Sequence, residues 1–128
     1  MPQYMLLIYG PSDRKPTPEE MAAEMPRWTA YTEALQEAGI MRAGDALHPA
    51  DSATTVRVRD GETQVTDGPF AETKETLIGY YAVEVPDLDT ALKYAARMPN
   101  IAYGSVEVRP VVDFSAQPAP EGQASATA

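Results

Sequence analysis

Residues 78–95, IGYYAVEVPDLDTALKYA, carry a strand and a helix on either side of one proline. Ile78 to Val85 is rich in Tyr and Val, the aromatic and β-branched residues that fit a pleated surface. Pro86 ends that strand, having no amide hydrogen to give a ladder. Asp87 stands where it can cap a helix whose Leu88, Ala91, Leu92 and Ala95 share one face, and Pro99 stops that helix. Ser105 to Val112 then alternates Val106 and Val108 with Glu107 and Arg109, which reads as a closing strand.

The first half has the same order of elements, although no internal repeat is visible. Tyr4 to Tyr9 is a continuous apolar run ended by Gly10-Pro11, suited to a central strand covered on both faces. Thr17, Pro18 and Glu20 supply a hydroxyl cap, a proline at the first helical position and a glutamate placed to close a capping box. Met21, Met25, Trp28, Thr32 and Leu35 follow as an apolar stripe, with Gly39 as the stop. Pro26 lacks the amide hydrogen that Ala22 would receive, so a kink or two abutting helices are expected there. Ile40 to Leu47 reads as the next strand. Thr55 to Arg59 and Glu62 to Thr66 alternate around Asp60-Gly61, the two-residue turn that best matches strand twist, and Val56, Val58 and Val65 mark the apolar face of that hairpin.

The order β, α, β, inserted hairpin, β, α, β predicts an α+β, ferredoxin-like βαβ-βαβ domain with both helices on one face of an antiparallel sheet. Tyr80, Tyr81, Val83, Val106, Val108, Val111 and Val112 place large apolar groups on both faces of two strands. An uncovered apolar sheet face marks an interface, so a sheet-on-sheet homodimer is expected. The domain spans residues 1–114. Residues 115–128, SAQPAPEGQASATA, have no large apolar side chain with which to offset their ordering entropy, and are expected to form a flexible tail.

Composition narrows the function classes. At 128 residues the chain has room for one core and not for two. With no cysteine, thiolate catalysis, disulfides and sulfur-ligated metal sites are excluded. No apolar run reaches the roughly 18 residues of a membrane span, and the start lacks signal-peptide features, so a cytoplasmic location without membrane contact is expected. A net charge of −9 opposes nucleic acid as a partner, and Arg42, Arg57, Arg59, Arg97 and Arg109 are interleaved with acidic neighbours along the chain.

The segment Asp67-Gly68-Pro69-Phe70-Ala71-Glu72-Thr73-Lys74-Glu75, the opening Tyr4 to Tyr9, the stretch Thr54 to Arg57 and Gly104 to Pro110 together resemble the YCII-related family, in particular its DGPF branch. The resemblance implies a dimeric α/β barrel of ferredoxin-like subunits. It implies no single reaction: few members have assigned activities, and some DGPF proteins are encoded beside extracytoplasmic-function sigma factors. Some YCII-like enzymes, among them a dehydrochlorinase of chloroaromatic breakdown, use a His-Asp pair. Here that mechanism would join His48 to Asp67 or Asp45.

Each candidate residue has two readings. Asp67 is an Asx-turn acceptor, or a general base in a cleft that Phe70, Glu72 and Lys74 line, with Lys74 balancing charge. Pro69 is expected to hold Gly68 extended, with Phe70 an apolar plug at the loop tip. His48, the only histidine, is the one side chain whose ordinary pKa suits proton transfer near neutrality, or is simply solvated. Tyr80, Tyr81, Tyr9, Trp28 and Tyr103 stack on a ring-shaped ligand, or belong to the core. His48 with Asp45, Asp51 or Glu72 has no recognised metal-ligand spacing, and no phosphate loop, nucleophile elbow or dinucleotide fingerprint occurs, so neither metal nor cofactor is expected. Two functions stay open: a cofactor-independent enzyme performing proton transfer or elimination on a hydroxylated ring, and a non-catalytic ligand-binding or regulatory module of a sigma-factor circuit.

Overall fold

The computed structural model describes residues 1–115; the tail expected over 115–128 lies, beyond Ser115, outside them. In chain order the elements are β1 (Gln3–Pro11), α1 (Pro18–Glu37), β2 (Met41–Ala46), β3 (Thr54–Arg59), β4 (Glu62–Asp67), β5 (Glu75–Glu84), α2 (Leu88–Ala96) and β6 (Ser105–Pro110), with short 3₁₀ turns at Ala50–Ser52 and Pro99–Ala102. The main sheet has the order β2-β5-β1-β6, every pair antiparallel, and β3-β4 forms a separate two-stranded sheet. This is the expected α+β ferredoxin-like arrangement with its inserted hairpin.

Local chemistry explains the elements. Thr17 accepts the amide of Glu20 while the Glu20 carboxylate accepts the amide of Thr17, both at 3.1 Å, which closes the capping box. Asp60 and Gly61 have φ of 52° and 77°, the doubly left-handed turn that a tight hairpin requires. Asp87 caps α2 by accepting from the Thr90 amide at 2.8 Å and the Thr90 hydroxyl at 2.7 Å. These bonds hold its carboxyl below the usual carboxylate range.

Register decides which face each residue serves. Leu6 pairs with Tyr81 and Val108, and Tyr4 with Val83, so these side chains share the face that α1 and α2 cover. Leu6, Leu35, Val83, Val85 and Met98 are almost wholly shielded and form the centre of the core. Each such side chain contributes about 1.5–3 kcal/mol by leaving water.

Four expectations need correction. α1 is one helix through Pro26 and not the alternative of two abutting helices; the lost amide leaves one carbonyl without a helical donor, on a stretch exposed enough for water to replace it. Its inward stripe is Trp28, Tyr31, Thr32 and Leu35, with Met21 and Met25 exposed. In α2, Ala91 and Ala95 are buried and Leu88 and Leu92 are exposed, because the helix lies close enough to the sheet that small side chains fill the contact. The uncovered sheet face also differs in composition. Tyr81, Val83, Val106 and Val108 all lie beneath the helices, β6 ends at Pro110 before the last two valines, and β6 turns Glu107 and Arg109 outward. The open face carries Met5, Leu7, Tyr9 and Tyr80 at its centre, half-buried, with Arg42–Glu84 at 2.6 Å and Arg109–Glu107 at 3.9 Å on its borders.

Candidate functional site

β1 and β2 leave the sheet at the end where β5 and β6 enter it. Antiparallel order therefore gathers the residues after β2, the loop 68–74 before β5, and the junction of β1 with β6 at one end of the molecule. Most of the candidate residues lie there, and the described residues form an open cleft of about 460 Å³ at the β1–β6 side of it.

Tyr9, Thr73, Lys74, Glu75, Ser105 and Glu107 supply the polar lining of the cleft. Tyr9 follows an irregularity in which β5 carries one extra residue opposite Ile8-Tyr9, and this sets its ring on the open face opposite Leu77. The Tyr9 hydroxyl donates to Glu107 Oε1 at 3.2 Å. Burial, and then the Glu107 carboxylate, push its pKa above the ordinary phenol value. Ser105 donates to Glu75 Oε2 at 2.9 Å. Lys74 is the one cation of the lining and makes no ion pair among the described residues. Two carboxylates, three hydroxyls and an ammonium thus converge on one opening. That set can hold a hydroxylated molecule by hydrogen bonds and move a proton to or from it.

The floor of the cleft is pinned from below. Asn100 is completely buried, and its Nδ2 donates to the carbonyls of Tyr9 and Ser105, both at 3.0 Å. A Cβ on Gly104 would stand 2.1 Å from the Tyr9 carbonyl oxygen, so only glycine lets β6 begin this close to the end of β1. Beside it, Glu24 accepts from Arg14 at 2.9 Å, from Trp28 at 3.2 Å and from Tyr103. Arg14 also stacks on the Tyr103 ring, 3.7 Å from its centroid. Burial and the bond to Glu24 push Tyr103 up to about 12.

The expected site residues divide. Lys74 lines the cleft. Asp67 ends β4, is exposed, and its carboxylate makes no hydrogen bond among the described residues; the turn amide of Gly68 goes to the Ala53 carbonyl at 2.6 Å. Gly68 has φ of 104°, so it is in the glycine-favouring region and not extended as Pro69 suggested. Phe70 is 78% exposed, its carbonyl held by Arg57 at 2.8 Å, so it plugs nothing within this subunit. Glu72 is exposed in the same loop. His48 is exposed just after Leu47, whose amide bonds the Ile78 carbonyl at 2.9 Å, and it makes no hydrogen bond or ion pair among the described residues. Asp45 accepts from Tyr80 at 2.7 Å instead of pairing with His48. The carboxylate raises the Tyr80 pKa. Tyr81 is a core residue, 8% exposed, with its hydroxyl 2.6 Å from that of Thr32 and its ring edge-on to Tyr31. Among the described residues no three His, Asp or Glu side chains form a group able to hold a metal ion, and no helix is long and apolar enough to cross a membrane.

Of the ring-stacking candidates Tyr9 does line the cleft, whereas Ser105, Glu107 and Asn100 escape the sequence reading. Glu107 looks like the solvated side of an alternating strand and Asn100 like a loop residue. The available signal is the register: odd positions of β1 fall opposite the buried series Tyr4, Leu6 and Ile8.

An uncharacterised protein of Rhizobium meliloti (strain 1021) is 47% identical to this chain over 77 residues, 59% of this chain and 62% of that protein. The match thus spans less than two thirds of that relative's length. The family model for the YCII-related domain covers far more, residues 2–115, which takes in the whole sheet, both helices and the inserted hairpin. The chain belongs to the YCII-related domain family.

Proposed function

We propose that this chain is a homodimeric, cofactor-independent enzyme that binds a small hydroxylated ring at the cleft end of its sheet and catalyses proton transfer or elimination on it. The observation that carries this reading is the convergence of Tyr9, Lys74, Glu75 and Glu107 on one opening beside an uncovered sheet face. Lys74 balances a phenolate, the Glu107 carboxylate exchanges a proton through the Tyr9 hydroxyl, and a second subunit over Met5, Leu7 and Tyr80 excludes water. Asp67 and His48, at the same end of the sheet, are the further acid–base candidates, with Phe70, Glu72 and Tyr80 as ring and hydroxyl contacts. The net charge of −9 supports small-molecule and homodimer partners over nucleic acid, and the absence of cysteine accords with a cytoplasmic place of work.

A second reading, a non-catalytic ligand-binding or regulatory module, is favoured by one specific observation. Asp67 and His48 stand exposed and, among the described residues, without side-chain partners to orient them. A panel of catechols, hydroquinones and their chlorinated forms separates the two. Turnover that falls about 10²-fold in Glu107→Gln or Asp67→Asn supports the enzyme. Binding without turnover, weakened by Lys74→Ala, selects the module, and no binding at millimolar concentration removes both.

A further inference from the structure

The sequence scatters its basic residues, but folding brings two of them to one groove, which shares no lining residue with the cleft. α1 and the segment after α2 enclose an open groove of about 460 Å³ on the helical side of the molecule. Ala30 and Ala34, one turn apart on α1, leave the depression, and Tyr31 and Met98 form its apolar floor. Ile101, 47% exposed, supplies an apolar wall. The charged groups of the lining are Arg27 and Arg97, and no acidic residue contributes to it.

That lining runs against the composition of the chain, in which 19 acidic residues face 10 basic ones. The ion pairs of the described residues use Arg14, Arg42 and Arg109, so neither groove arginine is neutralised by one. Arg97 is held at the rim by the Tyr94 ring, 5.3 Å from its centroid. The Tyr31 hydroxyl is committed to the Tyr94 carbonyl at 2.7 Å and is unavailable to a ligand. What remains is two planar, permanently charged donor forks in the lining of an apolar trough. Guanidinium forks match carboxylates in shape and charge, and a trough of this volume takes a small apolar body.

We propose that this groove is a second binding site, specific for a free small-molecule carboxylate carried on an apolar chain or ring. The carboxylate lies against Arg27 and Arg97, and the apolar body lies along Ala30, Ala34 and Ile101. Neither half suffices alone: the head would be hydrated at an exposed arginine, and the body would find only a shallow surface.

The test uses the full chain, titrated by NMR with sodium octanoate, 1-octanol and sodium acetate. Octanoate is expected to shift the signals of Ala30, Ala34 and Ile101 saturably, binding at least about tenfold tighter than either half-ligand, the ratio that one charge-assisted contact supplies. Arg27→Gln/Arg97→Gln is expected to weaken octanoate about tenfold or more and to leave octanol unchanged. Both arginines are exposed, so the variant retains its core. Should it fail to fold, the wild-type protein decides: octanoate affinity must fall as salt rises from about 0.05 to about 0.5 M. Octanol binding as tightly as octanoate, a double variant with unchanged octanoate affinity, or shifts confined to the cleft around Tyr9 and Glu107 would overturn the proposal.

Discussion

Asn100 is the residue on which the cleft geometry most depends, and its removal has a calculable cost. Its amide nitrogen serves two carbonyls, those of Tyr9 and Ser105, at a point sealed from solvent. Asn100→Ala withdraws both donors at about 1 kcal/mol each and leaves a cavity that adds about another 1 kcal/mol, while removal of the buried Oδ1, which has no partner among the described residues, returns about 1 kcal/mol. A net loss of about 2 kcal/mol corresponds to a Tm lower by about 8 °C in a domain of this size. Asn100→Asp keeps the shape but points an acceptor at two acceptors. The folded state then favours the protonated acid, so the folded pKa of the new carboxyl lies above its unfolded value. Stability is therefore retained below about pH 3.9 and lost as pH rises through the folded pKa. Thermal and urea unfolding followed by circular dichroism from pH 3 to 8 measures both. An Asn100→Ala protein within about 1 kcal/mol of wild type, or an Asn100→Asp protein that gains stability on going from acid to neutral pH, refutes the assignment of Asn100 as the pin beneath the cleft.

Other perturbations probe other parts of the molecule. Leu7→Glu sets a carboxylate at the centre of the open sheet face and is expected to raise the dimer Kd at least about 100-fold, read by light scattering with an unchanged monomer fold. A dimer that persists at micromolar concentration places the interface elsewhere. Burial pushes the Glu24 carboxyl up, but hydrogen bonds from Tyr103, Arg14 and Trp28 outweigh it and leave it below its ordinary value. Its stabilisation is thus full above about pH 4.5 and lost as pH falls through the lower folded value, so Glu24→Gln should flatten the acid limb of the stability profile. An unchanged acid limb in that variant contradicts the network. Asp87→Ala removes the α2 cap and should cost about 1 kcal/mol, measured by urea unfolding at neutral pH.

The fold was readable wherever local chemistry and period agree. The apolar run of β1, the Thr17–Glu20 box, the Asp60-Gly61 turn and the Asp87 cap are each decided by neighbours in sequence. Misreadings cluster where tertiary distance decides. Leu88 and Leu92 satisfy the helical period as well as Ala91 and Ala95 do, and only the closeness of α2 to the sheet selects the alanines. Val106 and Val108 face the same way as Leu6 and Ile8 through register, which one strand read alone does not reveal. Pro26 breaks a local rule that the rest of α1 outvotes. The candidate site was legible through Lys74, through Tyr9 as one of several aromatics, and through the end of the sheet to which the Asp67–Glu75 segment leads. Ser105 and Glu107 join Tyr9 from positions nearly a hundred residues away, and nothing local marks them.

The most direct test of the proposed site is a crystal structure of the protein as purified and after soaking with a chlorinated catechol or hydroquinone. The expected result is two sheets packed across Met5, Leu7 and Tyr80, burying well over about 1,000 Å² in total. Ring density should lie within hydrogen-bonding distance of Lys74 and Glu107 in the cleft beside that interface. Open sheet faces left to solvent, together with an empty cleft or a ring bound away from Tyr9, Lys74 and Glu107, would contradict it.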